Sequence, residues 1–285
     1  MTPRLLAHPM AITGESPLWD PRRNCLWWID IQAQRLLCTR MDGATTAQPT
    51  PFQPGFVALA ESGRLVLGLE TGLFTFDPES GTWLQQSDTE ADRPTVRLND
   101  GKPDVQGRLW FGSMDMTGTG ACIGRLYRRD PDGKIVIIRE GVGVANAMVP
   151  SERRGGIWLA DTPLAKLEFL PDRPGAESET VLEFENGAHP DGACLDVDGN
   201  LWIAMVSTAE LLHLDDKARV LDRIALPVSR PTMPILGGPD GRTLFVTCQR
   251  RFLSAMELDA EPWAGGLLAI DVMGGAGPVH SVSGL

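Results

Sequence analysis

The sequence has little that predicts entry into or passage across a membrane, and we expect neither a signal peptide nor a membrane span. Pro9 and Glu15 interrupt the first twenty residues, which therefore contain no apolar core of signal-peptide length. No uninterrupted apolar run approaches the roughly 18 residues that a membrane-spanning helix requires. We therefore expect a cytoplasmic protein without a membrane partner.

Cysteine pairs with the spacing of a metal site or a redox motif are also missing. The chain has an odd number of cysteines, and no C-x-x-C pair occurs among them: Cys25, Cys38, Cys122, Cys194 and Cys248. This pattern favours neither a disulfide framework nor a cysteine zinc site. We expect reduced thiols that are mostly buried as small apolar side chains.

Histidine is scarce, and its positions show no metal-ligand spacing. The four residues are His8, His189, His213 and His280. His189 lies close to Asp191, but we interpret it as a surface or pocket-wall residue rather than as a ligand.

Clusters of basic residues are almost absent as well. The net charge is −11, and the one basic pair, Arg250-Arg251, is too short for a series of phosphate contacts, which argues against a nucleic-acid partner. With 42% hydrophobic and 22% charged residues the composition is that of a soluble globular protein. An all-β chain of this length is often one domain, so we expect a single domain over residues 1–285, as a monomer or weak homo-oligomer.

What the sequence does contain is a repeat. Six segments each open with Gly or Asn, continue with an aliphatic–aromatic pair or its equivalent, and pass to a second apolar run. They start at Asn24, Gly63, Gly107, Gly155, Gly199 and Gly241, in steps of 39 to 48 residues. Period-2 alternation with frequent turn signals indicates antiparallel strands. The repeat predicts an all-β fold, a six-bladed β-propeller of four-stranded antiparallel blades around a central channel.

Tryptophan recurs at one place in four of these copies. The residues are Trp27, Trp110, Trp158 and Trp202, and Val66 and Phe245 take the same place in the second and sixth copies. They could form an aromatic binding surface. We favour packing between blades, because wide aromatic rings fill the wedge between twisted sheets.

Polar side chains recur at a second place, eight or nine residues before a repeat start. The first, third, fourth and fifth copies have Glu15, Asn99, Asn146 and Asp191 there, whereas the second and sixth have Pro54-Gly55 and Thr232-Met233. Equivalent positions in a propeller lie at equivalent heights, so these four side chains should ring one mouth of the channel. The alternative is that they are turn residues that bond to nearby backbone.

A ring of two carboxylates and two amides favours a bound cation. Like charges repel when they are crowded, and a cation compensates them. Oxygen ligands suit Ca²⁺, Mg²⁺ or Mn²⁺, and carboxylates also bind Zn²⁺. We therefore expect one divalent metal ion, with positions left open to water and substrate as in catalytic sites.

At these positions the sequence resembles the gluconolactonase family, which includes regucalcin (senescence marker protein) and luciferin-regenerating enzyme. The resemblance runs from about Gly14 to about Pro278. It is carried, in this order, by the segments Gly14–Asp20, Arg97–Asp104, Gly107–Met114, Pro190–Gly192, Gly237–Asp240 and Ala264–Leu267. The resemblance implies a six-bladed propeller that opens sugar lactones with water.

The resemblance also implies roles for individual residues. Glu15, Asn146 and Asp191 would bind the divalent metal, and Asp191 would in addition accept and donate the proton of the reaction. Arg97 and Asn99 would contact the substrate. An alternative for Arg97 is a structural ion pair with Asp100 or Asp104.

Three departures from the family pattern stand out. Ala147 follows Asn146 where the family usually has Gly, and Val149–Glu152 replaces the usual Ser-Pro-Asp-Gly turn. The segment Asp115–Gly120 contains no Glu, although some members contact substrate through a Glu there. This third departure concerns the identity of the lactone.

The expected activity is a metal-dependent hydrolysis of sugar (aldono-) lactones. No Gly-x-Ser-x-Gly motif occurs, which argues against a covalent serine mechanism. One alternative is a related metal-dependent propeller esterase that acts on aryl lactones or phosphotriesters. Another is a non-catalytic calcium-binding propeller.

Overall fold

A computed structural model describes residues 1–173, 175–185 and 187–285. Strand β1 (Arg4–Ala7) comes first. The next twelve strands are β2 (Gly14–Asp20), β3 (Cys25–Asp30), β4 (Arg35–Arg40), β5 (Thr45–Pro49), β6 (Pro54–Leu59), β7 (Leu65–Leu69), β8 (Gly72–Asp77), β9 (Thr82–Gln85), β10 (Val96–Pro103), β11 (Leu109–Asp115), β12 (Gly124–Arg129) and β13 (Ile135–Val142).

The remaining strands belong to the second half of the chain. They are β14 (Ala145–Ser151), β15 (Gly156–Asp161), β16 (Lys166–Pro171), β17 (Glu179–Glu183), β18 (Pro190–Leu195), β19 (Leu201–Met205), β20 (Glu210–Leu214), β21 (Val220–Ala225), β22 (Pro231–Gly237), β23 (Thr243–Cys248) and β24 (Leu267–Asp271). The described residues also form a short 3-10 helix (Thr162–Leu164) and helix α1 (Ala255–Ala260). Among the described residues, no helix is long and apolar enough to cross a bilayer.

The strands form six antiparallel sheets of four, as predicted. Five sheets follow chain order, β2 to β5, β6 to β9, β10 to β13, β14 to β17 and β18 to β21. The sixth has the order β22-β23-β24-β1, so a strand from the start of the chain completes it. These sheets are the six blades of a β-propeller, numbered one to six by their first strands.

The blades divide between two compact units of the chain. Unit 1 comprises residues 1–51 and 184–278 and contains blades one, five and six. Unit 2 comprises residues 52–183 and 279–285 and contains blades two, three and four.

The six repeat starts all fall in the same turn, between the first and second strand of a blade. Each of these residues has a positive φ, from 50° at Asn24 to 88° at Gly63. Glycine reaches this left-handed region without strain and Asn tolerates it, which explains why the repeat opens with these residues.

The recurring tryptophans pack between blades. Trp110 of blade three joins a cluster with Ala145 and Ile157 of blade four, and Trp202 of blade five packs with Leu236 and Leu244 of blade six. All four tryptophans are buried. The prediction of a packing role is confirmed for Trp110 and Trp202.

A carboxylate in the first turn of a blade also fixes the indole of its tryptophan. Trp27 Nε1 donates to Asp20 at 3.2 Å, and Trp110 Nε1 donates to Asp104 at 2.9 Å. In blade four, Ser151 takes the place of the aspartate. The buried Nε1 of Trp158 accordingly has no hydrogen-bond partner in the described part of the chain.

We expect Ser151→Asp to raise the free energy of unfolding by about 1–2 kcal/mol, because a buried donor gains a charged acceptor. Arg154, whose guanidinium lies 4.5 Å from the Trp158 ring centroid, would neutralise the new carboxylate. The urea midpoint measures the change. Ser151→Asn is the control, with a neutral acceptor and a smaller gain. A midpoint unchanged or lowered in Ser151→Asp would contradict this account.

Candidate active site

The predicted polar residues lie in strands, at a bulge that recurs in the first strand of every blade. At each bulge, two successive paired positions are separated by one more residue on the first strand of the blade than on the second strand. The shifts fall at Glu15/Leu18, Pro54/Phe56, Leu98/Gly101, Asn146/Val149, Pro190/Ala193 and Pro231/Met233. A bulge interrupts the ladder and redirects a side chain, which is a common device beside active sites.

Within unit 1, blade six lies between the strands that carry Glu15 and Asp191. Thr232 Oγ1 donates to the carbonyl of Gly14 at 2.6 Å, next to Glu15. On the other side, a Cβ added to Gly192 would lie 2.4 Å from the side chain of Met233, so the residue after Asp191 packs directly on blade six. Blade six therefore holds the two carboxylate-bearing strands on either side of β22.

The carboxylate of Glu15 is oriented by its own bulge. Its Oε2 accepts a hydrogen bond of 2.6 Å from the backbone N–H of Ser16. Ser16 has a φ of 48° and is buried, so the left-handed turn that presents this N–H is enclosed by the blade. Glu15 and Asp191 are themselves half-buried.

Within unit 2, the two amides contact each other directly. Asn99 Nδ2 donates to Asn146 Oδ1 at 2.9 Å and to the carbonyl of Ala145 at 2.9 Å. Asn146 Nδ2 in turn donates to Thr162 Oγ1 at 2.8 Å. The structure thus brings Asn99 and Asn146 together, and it adds Thr162, which the sequence repeat does not single out.

Steric crowding explains why blade two contributes no side chain at this position. A Cβ on Gly55 would lie 2.2 Å from the carbonyl oxygen of Leu98 and 3.0 Å from the Cα of Asn99. Only glycine allows the two strands to approach this closely.

Arg97 is buried, and its Nη1 donates to the carbonyl of Leu98 at 2.9 Å. The two aspartates considered as its ion-pair partners both have other partners. Asp104 bonds to Arg108 Nε at 2.6 Å, and Asp100 accepts the backbone N–H groups of Gly101 and Met148.

The segment without the family's Glu is organised by Asp115. Its carboxylate accepts the hydroxyl of Thr117 at 2.7 Å, the backbone N–H of Thr117 at 2.9 Å and the hydroxyl of Thr119 at 2.7 Å. These donors, chiefly the Thr117 hydroxyl, lower the pKa of Asp115 to about 2. The carboxylate at the end of β11 is therefore ionised and holds the loop that follows.

Another carboxylate, Glu90, escaped the sequence analysis because it lies outside both recurring positions. It is buried with a φ of 70°, and it pairs with Arg93 at 2.7 Å. Its Oε1 accepts the hydroxyls of Ser113 and Tyr127, each at 2.6 Å. Burial and this hydrogen bond raise the pKa of Tyr127. Glu90 thereby anchors the segment that leads into β10 and Arg97.

In the described ranges, no group of three or more His, Cys, Asp or Glu side chains is placed to hold a metal ion. The predicted set of Glu15, Asn146 and Asp191 contains two such side chains and one amide. The backbone N–H of His189 donates a hydrogen bond to Ser207 Oγ at 2.9 Å.

Comparison with known proteins places the chain in a family. Residues 13–250 match the model of the SMP-30/gluconolactonase/LRE-like region. The 6-deoxy-6-sulfogluconolactonase of Pseudomonas putida is 33% identical, with 95% of this chain and 96% of that protein covered. The L-arabinolactonase of Azospirillum brasilense is 31% identical, with 92% and 89% covered.

A solved structure supports the fold. The calcium-binding protein regucalcin from Agrobacterium tumefaciens superposes with a TM-score of 0.93 at 24% identity, with 100% of this chain and 98% of that one covered. The resemblance inferred from the motifs is confirmed. The chain belongs to the SMP-30/gluconolactonase/LRE-like family of lactonases and related proteins.

Proposed function

We propose that the protein is a divalent-metal-dependent lactonase that opens sugar (aldono-) lactones with water. One observation carries the proposal: the bulged first strands of four blades bear Glu15, Asn99, Asn146 and Asp191 at one equivalent position. Membership of a family with named lactonases at 33% and 31% identity supports the reaction class.

Glu15, Asn146 and Asp191 would hold the metal. The fit rests on the chemistry of the donors, which are all oxygen atoms, the ligands of Ca²⁺, Mg²⁺ and Mn²⁺. It rests also on Asn146, whose amide is fixed at both ends by Asn99 and Thr162. A structural neighbour that is a calcium-binding protein makes Ca²⁺ the first ion to test, and Mn²⁺, Mg²⁺ and Zn²⁺ follow.

The reaction needs a proton acceptor, for which Asp191 is proposed. When bound, a divalent ion would polarise the lactone carbonyl and stabilise negative charge on its oxygen. The Asp191 carboxylate would take one proton from the attacking water as the new C–O bond forms. It would return that proton to the ring oxygen as the C–O bond of the ring breaks, giving the open hydroxy acid.

Arg97 and Asn99 would orient the sugar by hydrogen bonds. Both described bonds of Asn99 use its amide nitrogen, towards Ala145 and Asn146. Asn99 would therefore contact the sugar through Oδ1, which accepts a hydrogen bond from a substrate hydroxyl.

The test is a pH-stat assay with a panel of lactones, before and after removal of metal. The panel contains gluconolactone, arabinolactone and 6-deoxy-6-sulfogluconolactone, with an aryl lactone and a phosphotriester as controls. We expect sugar lactones to be opened fastest, and chelation to reduce the rate to that of the uncatalysed reaction. Added Ca²⁺ or Mn²⁺ should restore activity, because the metal supplies the carbonyl polarisation.

Full activity in a preparation shown by elemental analysis to be metal-free would contradict metal dependence. Preference for the aryl lactone or the phosphotriester would assign a different substrate class. Metal binding without turnover of any panel member would indicate a non-catalytic calcium-binding propeller.

A further inference from the structure

The amide of Asn146 is held at both of its polar atoms. Oδ1 receives the Nδ2 hydrogen bond of Asn99 at 2.9 Å, and Nδ2 donates to Thr162 Oγ1 at 2.8 Å. Asn146 is also buried, so exchange of these partners for water is restricted. The three side chains form a relay within unit 2.

One end of the relay determines the orientation of every amide in it. The carbonyl oxygen of Ala145 can only accept, so the atom of Asn99 that faces it must be the donor Nδ2. The same Nδ2 then requires an acceptor on Asn146, which is Oδ1. Nδ2 of Asn146 consequently faces Thr162, and Oδ1 keeps a second lone pair for a further partner.

Thr162 is itself fixed by the segment that leads into Asn146. Its backbone N–H donates to the carbonyl of Val144 at 3.3 Å. The preceding Asp161 accepts the N–H groups of Gly143 at 2.9 Å and Val144 at 3.0 Å. The hydroxyl of Thr162 therefore belongs to the same rigid corner as the amide that it contacts.

We propose that Thr162 is a positioning residue for the metal site, and that with Asn99 it holds Asn146 with the oxygen, not the nitrogen, available to the cation. The inference rests on the proposed function. Nothing in the repeat assigns a role to Thr162. Residues that orient a metal ligand typically contribute about 10- to 100-fold in metal affinity.

The experiment compares Thr162→Val with Thr162→Ser by titration of the metal-free full-length protein with Ca²⁺ and Mn²⁺ in a calorimeter. Valine keeps the shape and removes the acceptor, whereas serine keeps the hydroxyl. We expect about 10- to 100-fold weaker binding for Thr162→Val and nearly unchanged binding for Thr162→Ser. Thr208→Val is the matched control, because Thr208 is exposed in a turn of blade five and its Oγ1 donates to Glu210 Oε1 at 3.1 Å.

A second variant keeps the inference falsifiable if Thr162→Val does not fold. In Asn99→Asp, a carboxylate would face the carbonyl of Ala145 and Oδ1 of Asn146. The amide of Asn146 should then turn over, so that Nδ2 takes the place of Oδ1 and donates to the new carboxylate. We expect weaker metal binding, although simple electrostatics predicts tighter binding from the added negative charge.

Equal binding by wild type and Thr162→Val, or tighter binding by Asn99→Asp, would overturn the positioning role. Absence of metal binding by the wild type would instead overturn the proposed metal site. The two failures are therefore distinguishable in the same titration.

Discussion

Replacement of Asp191 by Asn should lower kcat for lactone opening by about 10²- to 10⁴-fold, the usual contribution of a general base. The amide keeps an oxygen that can contact a metal, but it cannot accept a proton at neutral pH. Metal should still bind, though more weakly, because one negative charge is removed. The measurement is kcat over a metal titration, with folding checked by circular dichroism.

Glu15→Gln is the matched control for this experiment, because it removes the same charge from the other carboxylate of the proposed set. We expect weaker metal binding and partial recovery of activity at high metal concentration. If saturating metal restores Asp191→Asn to nearly the wild-type rate, Asp191 is a ligand only, and another group must accept the proton.

Replacement of Asp104 by Ser should lower the free energy of unfolding by about 2–4 kcal/mol, because it removes the charged acceptor of the buried Trp110 Nε1 and of the half-buried Arg108 Nε. The Asp104 carboxylate accepts Arg108 Nε at 2.6 Å, Trp110 Nε1 at 2.9 Å and the N–H of Gln106 at 2.9 Å. The substitution gives blade three the arrangement that blade four has naturally.

The urea midpoint is the measurement, and Asp132→Ser is the control. Asp132 lies in an exposed turn and accepts the N–H of Lys134 at 2.9 Å, so its loss should change stability by less than about 0.5 kcal/mol. Similar midpoints for the two variants would show that the indole contact contributes little.

Much of the architecture could be predicted from the repeat, for a definite physical reason. Residues such as Gly107 and Gly199 must adopt a positive φ, 74° and 80°, at the same turn in each blade. Few residue types tolerate that conformation, so Gly or Asn recurs at this turn and the repeat can be recognised in the sequence. The packing of Trp110 between two blades is recognisable in the sequence for a similar reason, because few side chains are wide enough to fill the space between twisted sheets.

The bulges could not be predicted in the same way. A bulge adds one residue to a strand without a composition of its own, and here it contains residues as different as Ser16 and Gly55. Ala147 adopts the left-handed conformation, with a φ of 47°, although alanine disfavours it. This residue stands where the family usually has Gly.

Thr162 and Glu90 escaped the sequence analysis because neither shares a repeat position with the residues that it contacts. Thr162, which directly follows β15, contacts Asn146 in the neighbouring strand β14, and Glu90 contacts Ser113 and Tyr127 from a connecting segment. Such contacts join residues from different segments of the folded chain, and the spacing of residues along the sequence does not predict them.

The pairing of β1 with β24 has a consequence for how the sixth sheet assembles. Arg4 pairs with Ala269, so this ladder joins segments that lie 265 residues apart in the sequence (269 − 4). During synthesis, β1 must stay unpaired until β24 has left the ribosome. Contacts of such high sequence separation form slowly, and unpaired edges invite association with other chains. The folding of this blade should therefore be the step most exposed to aggregation.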